Sequence, residues 1–246
     1  MSIKQKVISL IPGRWELAAR YHYNKVLGRL EREMSIIENI VPQRRRCLDI
    51  GANVGLYTYR FAQLFRQVES FEPIPRCAGI IALSGFKNVH LHSQALSNKA
   101  GQATLSIPAT GGPEATALAS LSNRFPDAES LVVELRTLDS FQFGEVDLIK
   151  IDVEGHELEV LEGGLATIKR ESPTVLVEVE QRHHPDINIQ SIFDFFLELG
   201  YEGSFFWNGR LNPLTSFSVE QHQQPYDPLD RGAYVNNFIF RPTGDA

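Results

Sequence analysis

Cysteine is nearly absent: the 246 residues contain two, Cys47 and Cys77. That excludes a disulfide-stapled framework. No zinc-ligand spacing is present either, so both cysteines read as small core residues in a reducing compartment. Long apolar runs are missing as well. The longest near the N-terminus, Val7 to Ile11, is broken by Ser9 and is too short for a secretory h-region, and nothing approaches the ~20 apolar residues of a membrane span. A soluble, cytoplasmic protein is expected. There is no basic excess: net charge is -6 and the pI about 5.7, which argues against nucleic-acid binding. Internal repeats and low-complexity tracts are also lacking.

With 43% hydrophobic residues, the chain has enough apolar material for one sizeable core. Its charge is uneven. Residues 1–46 hold ten Lys/Arg against four Asp/Glu, a net of +6 that leaves -12 for the remainder. Leu17, Tyr21, Leu27, Leu30, Met34, Ile37 and Ile40 recur at helical spacing until Pro42. Residues 1–45 are therefore expected to form a helical segment, a lid or an edge packing, ahead of a domain over 46–246. Lys25, Arg29 and Arg32 lie between the apolar positions, as a solvated face or as a contact for an anionic substrate or a membrane surface.

The most informative stretch runs from Arg46 to Tyr57, RCLDIGANVGLY. Cys47, Leu48 and Ile50 read as a short buried strand. Gly51 and Gly55 allow a tight turn and close backbone approach to a ligand. A helical pattern follows from Val54 to Phe65, with Asn53 as the expected N-cap. Strand, glycine turn and helix together form the first unit of a nucleotide-binding α/β sheet.

The dinucleotide fingerprint is incomplete, since Asn53 and Leu56 stand where it needs small residues. Asp49 also puts a carboxylate at the strand tip, which repels a pyrophosphate and suits a cationic amino acid end. S-adenosylmethionine has an ammonium, a sulfonium and an adenosine, and no phosphate. Glu72 ends a second strand-like run, Val68 to Phe71, about 20 residues past the turn, where an acid accepts ribose hydroxyls. Ser93 and Gln94, just beyond the strand pattern Asn88 to His92, are candidates for the adenine edge.

Further on, Ala103 to Ile107 and Leu131 to Leu135 alternate like an antiparallel pair around a loop containing Gly111-Gly112-Pro113. Val146 to Ile151 reads as a strand leading into Asp152-Val153-Glu154-Gly155-His156-Glu157, and a helix is expected over Leu158 to Ile168. Pro173 to Val179 and Tyr201 to Trp207 read as strands, Ile187 to Leu199 as a helix, and Tyr234 to Phe240 as a last strand. Alternation of strands and helices implies a largely parallel sheet, with ligands beyond the carboxyl ends of its strands. The loop after the third strand and the loop from Asn208 to Gly232 are expected to form the acceptor pocket.

These motifs resemble the FkbM family of S-adenosylmethionine-dependent methyltransferases. The similarity covers Cys47 to Phe240 and rests on LDIGANVGLYT (Leu48 to Thr58), FEP (Phe71 to Pro73), ALS (Ala95 to Ser97), TLDSF (Thr137 to Phe141), LIKIDVEGHELEVLEGG (Leu148 to Gly164) and NNFIF (Asn236 to Phe240). It implies the class I methyltransferase fold: a Rossmann-like α/β structure with a mostly parallel seven-stranded sheet, flanking helices and an antiparallel last strand. It also implies O-methylation, often of sugars, glycans or glycosylated or polyketide natural products.

For the chemistry, Asp49, Gly51, Asn53, Gly55, Glu72, Ser93, Gln94 and Asp152 are the expected cofactor contacts. Asp152 stands at the junction of cofactor and acceptor. Glu154 or His156 is the expected base, with His156 preferred for its near-neutral pKa. A divalent metal on Asp152 with Glu178 or Glu180 is possible but not favoured. His183 and His184 read as surface loop residues. Phe205, Phe206 and Trp207 read as edge-strand packing, with sugar stacking as the other option. The competing classes are a nicotinamide-dependent oxidoreductase, opposed by the missing glycines and Asp49, and a non-catalytic cofactor-binding or membrane-peripheral adaptor, opposed by the intact acids.

Overall fold

The computed structural model describes residues 12–109, 116, 118–122, 125, 127–223 and 234–244. Helices α1 (Gly13–Val26) and α2 (Glu33–Ile40) come first, followed by β1 (Arg46–Ile50), α3 (Leu56–Leu64), β2 (Gln67–Phe71), α4 (Pro75–Leu83) and β3 (Val89–His92). A short β4 (Ala95–Leu96) leads to β5 (Gly101–Ile107), β6 (Glu129–Arg136) and β7 (Val146–Ile151). The second half holds α5 (Glu157–Gly163), α6 (Leu165–Glu171), β8 (Thr174–Glu178), α7 (Gln190–Glu198), β9 (Tyr201–Trp207), β10 (Arg210–Pro213), α8 (Val219–His222) and β11 (Asn237–Pro242).

The main sheet has the order β10-β9-β11-β8-β7-β1-β2-β3. From β3 to β8 neighbouring strands are parallel, and β11 enters antiparallel between β8 and β9. The antiparallel last strand is therefore present, but among the described residues the sheet has eight strands rather than seven. The extra one, β10, pairs with β9 through a two-residue turn, Asn208-Gly209, in which both residues have positive φ. Asn-Gly between two strands is a hairpin signal, so the segment from Asn208 begins as a strand and not as a loop. Residues 224–233 of that segment, Gly111-Gly112-Pro113 and the run Val7 to Ile11 lie outside the described residues. The predicted pair around the insertion is β5 and β6, antiparallel, and β4 joins them in a separate three-stranded sheet.

Two predicted helices differ in detail. The one after the glycine turn begins at Leu56, and its N-cap is Gly55 in the left-handed region, not Asn53. The Asn53 side-chain oxygen is engaged by Cys77 Sγ and Thr116 Oγ1 instead. The helix expected over Leu158 to Ile168 is split into α5 and α6 at Gly164.

Strand alternation gives the sheet two faces. Leu48, Ile50, Ile149, Ile151, Val175, Val177 and Phe238 pack with α5, α6 and α7. Cys47, Val68, Leu148, Leu176 and Ile239 pack with α1, α2 and α3. This second face turns polar toward the carboxyl ends: Asp49, Ser70 and Lys150 are register neighbours on β1, β2 and β7. That rim positions the site.

The N-terminal helices share this core. Leu17 is 0% exposed and its side chain lies beside Gly55 and Ile81. Leu17→Ala is expected to cost about 2–5 kcal/mol in urea denaturation. A loss below about 1 kcal/mol would place α1 outside the core.

Candidate active site

The glycine turn is held by the strands on either side of it. Gly51 N and Ala52 N both donate to Phe71 O, and Asp152 N donates to Ile50 O. Gly51 has φ +79°, and a Cβ there would sit 1.8 Å from Asp152 O, so only glycine lets the first turn and the β7 end approach this closely. Glu72, 3% exposed, closes the turn from β2. Its Oε2 accepts from Asn53 N at 2.6 Å and its Oε1 from Ile74 N at 2.7 Å. Burial pushes its carboxyl up to about 7 despite these bonds.

A cavity opens on this turn. Its polar walls are Gly51, Asn53, Glu72, Gln94, Asp152 and Glu154, and Ile74, Leu96 and Leu121 supply apolar surface. No Lys or Arg side chain lines it among the described residues. Three carboxylates without a cation repel a pyrophosphate. They suit vicinal ribose hydroxyls, which donate, and a sulfonium, which is positive. The donor set therefore fits S-adenosylmethionine and not a dinucleotide.

Three expected contacts are placed differently. Asp49 is 0% exposed and is not among the residues that line this cavity; its Oδ2 accepts from Thr58 Oγ1 at 2.6 Å. Thr58 of α3 bonds it and Ser70 of β2 stands beside it in register. Ser93 is exposed and stands outside the cavity, which Gln94 lines. Gly55 packs on Ile81 and Leu17, where a Cβ would meet Ile81 at 2.8 Å.

Lys150 sits beside Asp49 in register, 2% exposed, and donates from Nζ to Asp152 Oδ2 at 2.8 Å. Its ammonium also lies 4.8 Å from the centre of the Tyr57 ring. Burial works against its charge, but Asp152, Asp49 and Glu31 outweigh burial and hold its pKa above the ordinary value.

Glu154 has φ +54° and pairs through Oε2 with His183 Nδ1 at 2.8 Å. Burial raises the Glu154 carboxyl to about 7. Burial lowers the His183 pKa, but the Glu154 hydrogen bond and charge outweigh it and the net shift is upward. His183 is thus a partner of a cavity residue and not a free surface side chain. His184 is also no surface residue: it is 5% exposed and meets Glu157 Oε2 at 2.7 Å. His156, the preferred base, points elsewhere. Its Nε2 meets Ser97 Oγ at 3.0 Å and its Nδ1 meets Ser122 Oγ at 3.1 Å, and it is not among the residues that line this cavity. The backbone swing at Gly155, φ +94°, carries it past the rim to clamp the insertion onto α5.

Asp152, Glu154 and Glu178 bring carboxylate oxygens within 4.8 Å of one another. Glu180, expected with them, is instead neutralised by Arg182 and bonded by the Tyr234 hydroxyl. Each member of the cluster has a protein partner: Lys150 for Asp152, His183 for Glu154, and Asn236 Nδ2 on Glu178 at 2.6 Å.

The sheet order and the acid-lined glycine turn define a class I methyltransferase domain. The family model described as the methyltransferase FkbM domain matches residues 49–202, and the chain belongs to that family. It is 28% identical to the methyltransferase sdnD of Sordaria araneosa over 166 residues, 50% of this chain and 61% of that protein. Its fold is similar to that of the methyltransferase FkbM from Methylobacillus flagellatus KT, with a TM-score of 0.50 and 15% identity over 80% of this chain and 43% of the other. The chain thus spans less than two thirds of either relative.

Lys150, Glu31, Tyr57 and His183 were not singled out from the sequence. Lys150 carried a usable signal: a lysine in a buried apolar strand requires a nearby carboxylate. Glu31 and His183 reach the rim only through tertiary packing.

Ionising Glu72 in the ligand-free protein costs stability as the pH climbs from 4.5 through about 7. Hydroxyl donors favour the ionised form, so binding of S-adenosylhomocysteine at about pH 6 should release a proton. Calorimetry in buffers of different ionisation enthalpy should show that release fading by about pH 8 and missing from Glu72→Gln. Equal release in the variant would contradict the assignment of Glu72 to the ribose.

Proposed function

We propose that this chain is an S-adenosylmethionine-dependent O-methyltransferase acting on a hydroxyl of a small-molecule or glycan acceptor, such as a sugar or a polyketide natural product. The observation that carries the reading is the cavity over the glycine turn, lined by Glu72, Asp152 and Glu154 and, among the described residues, by no Lys or Arg side chain. The family supports methyl transfer, and a proton-accepting pair beside Asp152 supports oxygen as its target.

When bound, S-adenosylmethionine supplies a methyl group on a sulfonium whose departure leaves a neutral thioether, so no acid is needed for the leaving group. The chain has two tasks: to hold the acceptor hydroxyl in line and to remove its proton. Asp152 borders the cofactor cavity while Lys150 fixes one of its oxygens, which leaves its carboxylate a defined orientation at the junction. Glu154 and His183 form the proton acceptor. Paired at 2.8 Å, Glu154 is raised to about 7 by burial and holds the His183 pKa above its ordinary value, and Glu154 orients the ring that receives the hydroxyl proton. Because the rim carboxylates already have protein partners, the reading requires no divalent metal.

Methyl transfer to a panel of sugar and polyketide hydroxyls, followed by mass spectrometry, tests this reading. Asp152→Asn and His183→Gln are expected to lower kcat by about 10²–10⁴ with little change in S-adenosylhomocysteine affinity. Turnover should survive exhaustive chelation. Full activity in both variants would contradict the assigned roles.

A further inference from the structure

A second cavity adjoins the glycine turn, lined by Gly51, Ala52 and Asn53 among others. Arg29, Glu31 and Met34, from the connection between α1 and α2 and the start of α2, line it together with Tyr57, Lys150 and Asp152. The two cavities share Gly51, Asn53 and Asp152. A ligand with its nucleoside in the first cavity therefore crosses the turn at these three residues and enters the second.

The charges of the second cavity are paired in an unusual way. Glu31 is fixed at the site: its Oε2 accepts from the Tyr57 hydroxyl at 2.7 Å and from Asn237 Nδ2 at 3.2 Å. Arg29, two residues earlier, is exposed, and its guanidinium makes no ion pair or hydrogen bond among the described residues. One short segment thus offers a guanidinium and a carboxylate at the mouth of the same small space. An α-amino acid bears an ammonium and a carboxylate on one carbon, and a guanidinium binds a carboxylate through two parallel hydrogen bonds. Asp49, the acid whose sequence position suggested an ammonium partner, is sealed beneath the turn on Thr58.

We propose that the connection between α1 and α2 recognises the amino acid end of the cofactor, with Arg29 on its carboxylate and Glu31, beside Asp152, on its ammonium. The inference rests on the cofactor reading above and goes beyond it: it gives a binding role to a segment that lies outside the family match, which begins at residue 49. The N-terminal helices then belong to the binding site, and helix packing and ligand recognition meet in Glu31.

The test compares two ligands on the full chain. S-adenosylhomocysteine has the amino acid end. 5′-Methylthioadenosine has the same nucleoside and sulfur with a methyl group in its place. Arg29 lies on an exposed turn, so Arg29→Ala is expected to keep the wild-type melting temperature. It should weaken S-adenosylhomocysteine about tenfold and leave 5′-methylthioadenosine unchanged by calorimetry. Glu31→Gln, which keeps the hydrogen-bonding shape, should show the same selectivity. Unchanged S-adenosylhomocysteine affinity in Arg29→Ala, or an equal loss for both ligands, would overturn the proposal. Wild-type protein that binds neither ligand would overturn the cofactor reading beneath it, which is a different result from a loss of selectivity.

Discussion

Lys150 lies near the carboxyl end of a buried strand, 2% exposed, with Asp49 beside it on β1 and Asp152 at 2.8 Å beyond it on the rim. A lone buried ammonium or a lone buried carboxylate is costly, and breaking a buried pair by removing one partner typically costs about 3–5 kcal/mol. The sheet face above Leu148 and Leu176 turns polar here because these charges compensate one another. Thr58, Ser70, Tyr57 and Glu31 complete the cluster from the helices and the neighbouring strand. The orientation of Asp152 follows from this pairing, and so does the position of the α1–α2 connection, which Glu31 ties to Tyr57 and Asn237.

The rim is electrostatically incomplete. Glu31, Asp152, Glu154 and Glu178 face Lys150 and His183, and burial together with the neighbouring acids lifts the Glu178 carboxyl well above its usual range. Such a site favours a ligand that brings positive charge. S-adenosylmethionine carries a net positive charge, and S-adenosylhomocysteine carries none. Glu72 contributes differently: it organises the turn through Asn53 N and Ile74 N before any ligand arrives.

Much of this was legible in the sequence because the determinants are local. Short apolar runs between turn residues gave the strands, and the glycine turn and Glu72 fell where alternation and spacing put them. The eighth strand was overlooked although Asn208-Gly209 between two strand-like stretches announces a hairpin. The errors in the site share one physical cause. A strand position fixes the face of a side chain, but not whether a helix covers it. Asp49 faces the right side of the sheet and is buried under α3, and two consecutive residues with positive φ, Glu154 and Gly155, turn His156 away from the rim. His183 stands about 30 residues from Glu154, and Glu31 stands 26 residues from Tyr57 and 206 from Asn237, relations that sequence spacing does not encode.

The central claim is that an acid-rich rim built around one buried lysine selects a cationic nucleoside over a phosphate-bearing one. Parallel calorimetric titrations of the protein with S-adenosylmethionine and with NAD test it most directly. The account predicts micromolar binding of S-adenosylmethionine and no measurable binding of NAD. Binding of NAD, or S-adenosylmethionine that fails to bind, would contradict it.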